Sequence, residues 1–263
     1  MTNRHFRLGV MVESLRLGFE KGVEKIVEIG ADGFQMCFTD EEPMDPARLR
    51  AMRSHVESNG LIISAVCGEL GGYGNADEDA HKLKIMENVF NFASAIGTRV
   101  ITGHIGEIPE DRDHPRYSLL CKSVQELGRM ARERELTYAI ETGPETAAVL
   151  RRFIEELDGG VGVNFDPANL VMRGYSMNGA DSVAELAPYI AHTHAKDGER
   201  IGDNRRETPL GKGMVDFPLW METLWDNGYR GFLTLERECG DDPVGDCTEA
   251  IEFLRTIDKT MKF

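Results

Sequence analysis

The chain has 263 residues, with 45 acidic against 30 basic side chains, a formal net charge of −15 and a pI near 4.9. A surface of that sign repels phosphate, which argues against general nucleic-acid binding and against attachment to an anionic membrane. It suits a protein that works on small molecules. The length is that of one (β/α)8 barrel, for which ~250 residues is typical. No linker-like or low-complexity stretch divides the chain, so residues 1–263 are expected to form one domain. Cys37, Cys67, Cys121, Cys239 and Cys247 show no CxxC spacing and read as reduced thiols. The opening residues Met1–Arg7 have no apolar run of signal-peptide length. Nor is there any stretch of the ~18–20 apolar residues that a spanning helix needs. A cytoplasmic protein is expected.

Taken in order, short apolar runs alternate with amphipathic stretches, the pattern of βα units and a parallel sheet. A strand is predicted over Phe6–Met11 and a helix over Leu17–Ile29; then strand Gly33–Phe38 and helix Pro46–Ser58. Strand Leu61–Val66 leads to helix Asp77–Ile96, and strand Arg99–His104 to helix Tyr117–Arg134. Strand Thr137–Glu141 precedes helix Glu145–Leu157, and strand Gly162–Asp166 precedes helix Asp181–Pro188. The last units are strand Ile190–Ala195 with helix Phe217–Asn227, and strand Gly231–Glu236 with helix Pro243–Lys259. Asp45-Pro46 and Asp242-Pro243 place a capping acid before a proline that suits the first helical turn, and Asp216 precedes a helix likewise. Gly30, Gly60, Gly97, Gly159-Gly160 and Gly228 suit left-handed C-caps. Eight strands close a barrel, and the predicted fold class is a single (β/α)8 TIM barrel.

Loop lengths are asymmetric. Helix-to-strand connections such as Gly30-Ala31 and Gly97-Thr98 are short. Those from strand to helix include Cys67–Ala76, Ile105–Pro115, Pro167–Ala180 and Lys196–Val215. Long loops carry function, and a barrel carries it at the C-terminal mouth of its strands. Four predicted strands run into a metal-ligand residue type at that end: Glu141, Asp166, the His192-Thr193-His194 pair and Glu236. A single acid at a strand end is ordinarily a solvated rim residue. Three carboxylates converging on one mouth would repel one another, and a divalent cation relieves both that repulsion and their desolvation. Two Glu, one Asp and one His form an oxygen-rich set that suits Mn2+, Mg2+ or Co2+ at least as well as Zn2+. His192 and His194 face the same side, and one of them is expected only to hydrogen-bond behind the ligands.

Other candidates line the mouth. His104 ends strand four, and Glu69 sits in the glycine-rich Cys67–Gly72 segment, which lacks any phosphate-loop pattern. Lys196 and Arg200 lie on a loop of mixed charge, where solvation is the simpler expectation and an inward contact to substrate the alternative. Met11, Phe34, Met36 and Phe38 read as core and wall.

The segments Glu141–Thr146, Asn164–Asn169, His192–Asp197, Pro209–Phe217 and Glu236–Glu238, in that order, resemble the xylose-isomerase-like TIM-barrel superfamily, often described as sugar phosphate isomerases and epimerases. The resemblance, which includes the ketose 3-epimerases, implies a metal held by Glu141, Asp166, His194 and Glu236, with Glu141 and Glu236 also moving protons. It places Arg200 where those enzymes have a substrate-contacting arginine. Asn169 stands where they have a histidine, a departure at a substrate position. The implied function is a divalent-metal-dependent isomerase or epimerase acting through an enediolate on a small keto-sugar, with Mn2+ the expected ion. A lyase or dehydratase on a keto-sugar or inosose shares its first step. An abasic-site endonuclease needs further histidines at early strand ends, where Met36-Cys37-Phe38 and Val66-Cys67-Gly68 have none. A non-catalytic sugar-binding protein would not need four ligands. The expected partner is a small carbohydrate; homo-oligomerisation stays open.

Overall fold

A computed structural model describes residues 5–38 and 45–261. Eight parallel strands close a barrel in the ring order β1-β10-β7-β6-β5-β4-β3-β2. They are β1 (Arg7–Met11), β2 (Gly33–Cys37), β3 (Ile62–Cys67), β4 (Val100–Gly103), β5 (Thr137–Glu141), β6 (Val161–Phe165), β7 (Ile190–Ala195) and β10 (Phe232–Leu235). Around them run α1 (Phe19–Glu28), α2 (Pro46–Ser58), α3 (Ala76–Ile96), α4 (Pro115–Glu133), α5 (Ala147–Glu155), α6 (Pro167–Arg173), α7 (Val183–Leu186), α8 (Phe217–Asp226) and α9 (Pro243–Thr260). This is a single TIM barrel. Among the described residues no helix is long and apolar enough to cross a membrane.

Local chemistry sets the helix ends. Asp45, Asp216 and Asp242 each accept a backbone N–H in the first turn, as their positions just before a helix with an early proline predict. Gly97 ends α3 at φ 88°, a left-handed conformation that costs a residue without Cβ little. Phe90, Phe92, Leu120, Phe153, Trp220 and Leu254 fill the layer between sheet and helices, all fully buried.

Two segments expected to be loops are ordered. The start of Pro167–Ala180 is α6, with Asp166 as its N-cap. Lys196–Val215 is not a plain loop but a hairpin, β8 (Asp197–Ile201) paired antiparallel with β9 (Asn204–Thr208). Turn residues Gly202 and Asp203 masked the two short strands in the sequence. The buried Asp197 carboxylate accepts N–H groups of Gly198 (2.8 Å), Gly213 (2.8 Å) and Val215 (3.1 Å), which ties the hairpin down. A Cβ on Gly213 would lie 2.3 Å from that carboxylate, so the clamp needs glycine there.

The barrel interior is polar where branched apolar residues are usual. Gln35, Ser64, Thr102, Asn164, His192 and Thr234 are all buried inside it. Register shifts at Phe34/Gln35 and at Val163/Asn164 adjust this layer; the second brings Asn164 opposite His192.

Candidate metal centre

Strand alternation builds the site one layer above that polar floor. Asn164, His192 and Thr234 point inward, so the residues two further on, Asp166, His194 and Glu236, point inward at the mouth. Glu141 ends β5 and joins them. One ligand atom from each of Glu141, Asp166, His194 and Glu236 lies within 4.8 Å of the others, and all four residues are buried. Nδ1 of His194 is 3.5 Å from Glu141 Oε2 and 3.4 Å from Glu236 Oε2. Its Nε2–H donates to Gln35 Oε1 (3.0 Å), while Gln35 Nε2 donates to Thr102 (3.1 Å). Gln35 therefore fixes the tautomer that leaves Nδ1 free to coordinate.

The charge balance of the cluster fits a cation. Burial, with help from Glu141 and Glu236, pushes Asp166 up to about 7 against the pull of Lys196 and His194. Asp166 Oδ1 caps α6 through the N–H of Asn169 (3.0 Å), but Oδ2 is buried and has no hydrogen-bond partner among the described residues. Such an orphaned oxygen beside two further carboxylates is what a divalent ion satisfies. Burial opposes charge on His194, yet Glu236 and Glu141 raise it well above the ordinary histidine value. Glu236, although buried, is held low by His194 and Lys196.

The two glutamates keep different company. Glu141 accepts amide donors from Asn164 (3.2 Å) and Asn169 (3.0 Å). Glu236 accepts from Lys196 Nζ (2.8 Å), which also bonds Glu238. Carboxylates outweigh the cost of burying Lys196 and raise it. His104 pairs with Glu69 (2.8 Å), and this bond above all lifts its pKa to about 9; its other nitrogen is 3.6 Å from Glu141.

The structure thus brings Glu69, His104, Asn169 and Lys196 to the cluster or to its direct partners. His192 and Arg200, the other candidates from the sequence, have hydrogen-bond partners of their own. His192 lies in the floor, its Nδ1–H donating to Asn164 Oδ1 (2.9 Å) and its Nε2 taking Thr234 (3.0 Å) and Ser64 (3.2 Å) hydroxyls. Burial holds it well below the ordinary value, so it is a neutral support beneath the ligands. Arg200 lies on the hairpin, its guanidinium donating to the carbonyls of Arg173 (2.8 Å) and Gly202 (3.1 Å). Sequence reasoning missed Gln35 and Asn164, although each shows a signal: a lone polar residue inside an apolar strand, Phe34-Gln35-Met36 and Val163-Asn164-Phe165.

Known proteins share this arrangement of strands. A xylose isomerase domain protein from Planctomyces limnophilus superposes with a TM-score of 0.85 at 28% identity, covering 97% of this chain and 98% of that one. An L-ribulose 3-epimerase superposes with a TM-score of 0.76 at 17% identity, covering 97% and 95%, a likeness of fold. In sequence, the inosose dehydratase of Erwinia tasmaniensis is 25% identical over 270 residues, 87% of this chain and 86% of its own. The model of the xylose isomerase-like TIM barrel family matches residues 23–257, and the chain belongs to that family.

Proposed function

We propose that the chain is a divalent-metal-dependent enzyme that removes the proton next to a carbonyl of a small keto-sugar or polyol-derived ketone, and returns it to complete an isomerisation or epimerisation. The observation that carries this reading is the placement of Glu141 and Glu236 on either side of His194 within one buried cluster. Glu141, Asp166, His194 and Glu236 would hold the ion, and the orphaned Asp166 Oδ2 supports that fit. When bound, the ion supplies Lewis acidity to the carbonyl and its charge stabilises an enediolate. The donor set suits Mn2+, with Co2+, Mg2+ and Zn2+ as alternatives.

The residues divide the remaining labour. Asn164 and Asn169 orient Glu141 through both carboxylate oxygens, and Lys196 orients Glu236. One glutamate takes the proton and the other delivers it to the opposite face. His104, fixed by Glu69 and facing Glu141, is placed to hydrogen-bond a substrate oxygen.

Lys196 favours a second reading. An ammonium 2.8 Å from Glu236 can donate a hydrogen bond to a departing hydroxyl, which turns the same first step into loss of water, and the Erwinia tasmaniensis relative is an inosose dehydratase. A substrate screen in D2O with Mn2+-, Co2+- or Mg2+-loaded protein separates the two. Deuterium uptake without loss of water is expected of an epimerase; loss of water with new ultraviolet absorbance is expected of a dehydratase. Glu141→Gln and Glu236→Gln should each lower turnover by ~10²–10⁴-fold. If excess metal restores full turnover to both variants, the glutamates are not the proton carriers.

A further inference from the structure

The cluster occupies one side of the mouth, because β10, β7, β6 and β5 are consecutive in the ring. The opposite side is closed by β2 and β3, and each of these strands ends in a cysteine. Cys37 and Cys67 are register partners across that strand pair. Alternation fixes their direction. Gln35 reaches inward to His194, so Cys37, two residues on, faces the same way, and the register carries Cys67 with it. Both side chains are half-buried, neither sealed in the core nor fully open.

The two thiols are neighbours across that strand pair, and Cys37 together with burial raises the Cys67 thiol well above its ordinary value; Glu141 and Glu69 add their negative charge. Adjacent strands stand about 4.8 Å apart, inside the roughly 4.4–6.8 Å Cα separation that a disulfide spans. No movement of one strand past another is needed to join them.

We propose that Cys37 and Cys67 are a redox modification site, a paired dithiol in the wall of the mouth that a peroxide converts to an intramolecular disulfide. Cys67 keeps its proton, so Cys37 attacks first. Its sulfur bonds the peroxide oxygen, the O–O bond breaks, one water leaves and a sulfenic acid remains. Cys67 sulfur then attacks that sulfur, the S–O bond breaks, and the second water leaves. Two thiols and one hydrogen peroxide become one disulfide and two waters. The bond would draw together the ends of two strands, one tied to Glu13 through the Cys37 N–H (2.9 Å) and the other leading to the Glu69 segment that holds His104. The four cluster residues lie on other strands, so metal content should not change.

The test treats whole, metal-loaded protein with hydrogen peroxide, then alkylates, digests and maps the peptides by mass. The peptides carrying Cys37 and Cys67 should appear joined, unalkylated and two hydrogens lighter than their sum, and a reducing dithiol should release them. Cys239, which is exposed, serves as the internal measure of dose. In Cys67→Ser the reaction should stop at sulfenic or over-oxidised Cys37, and Cys37→Ser should lose the joined product while keeping its metal. The proposal is overturned if both thiols alkylate fully at a dose that oxidises Cys239, a result the wild-type protein alone can give. It is also overturned if Cys37 stays reduced in Cys67→Ser. None of these readouts depends on the substrate or reaction of the metal centre.

Discussion

Asp166 and Gln35 act on the cluster in different ways, and their variants should fail differently. Asp166 has one oxygen capping α6 and one with no hydrogen-bond partner among the described residues. Asp166→Asn keeps a good capping oxygen but turns an amide toward the ion, so the fold should persist while metal affinity falls. Metal analysis at rising Mn2+ and circular dichroism check both halves of that statement. Binding should also release protons, because an ion displaces the proton that burial keeps on Asp166 up to about 7 and the one favoured on His194. Affinity should therefore rise with pH through neutrality, which calorimetry in buffers of different ionisation heat would read. Gln35 is fully buried behind His194. Gln35→Leu removes the acceptor for His194 Nε2–H and should cost about 10–100-fold in metal affinity, whereas Gln35→Glu keeps an acceptor and should recover much of it. Equal loss in both variants would mean that Gln35 only fills space.

At the scale of elements, the hairpin and the strand ends show what sequence can convey. The eight strand positions were legible because each is a short apolar run ending near a capped helix, and the ligand types stand out against those runs. The hairpin was not legible. Its alternation is weak, and it is held by Asp197, whose partners Gly213 and Val215 lie far along the chain. His192 and His194 look equivalent in sequence, since alternation puts both inward. Only the register separates floor from mouth, and register depends on pairing across strands. Arg200 takes its position from the hairpin, a segment that reads as a loop in the sequence. Asp197→Ala leaves backbone donors at the hairpin base unpaired and should cost about 1.5–3 kcal/mol in denaturant unfolding. Metal binding should survive, because the ligands sit on barrel strands. Loss of metal together with the hairpin would show that the two are coupled.

For the molecule as a whole, the ion is expected to be a stabiliser. A ligand present at about 100 times its Kd adds roughly 2.7 kcal/mol to the native state. In a chain of this size that corresponds to a rise of about 5 °C in melting temperature. Stripping the protein with a chelator should lower the midpoint by that amount, and returning Mn2+ should restore it; an unchanged midpoint would argue against a structural role for the centre. All four ligands fall between residues 141 and 236, yet the imidazole among them is oriented from β2, near the start of the chain. β2 pairs with β3 on one side and, through β1, with β10 on the other, and closing the ring sets Gln35 against His194 across its interior. Binding before closure should therefore be weaker by the ~10–100-fold expected of Gln35→Leu, however early the ligand strands pair. During refolding, the moment at which Mn2+ becomes slow to exchange should mark the joining of the first strand to the last, so that the ion acts as a clock for the final topological event.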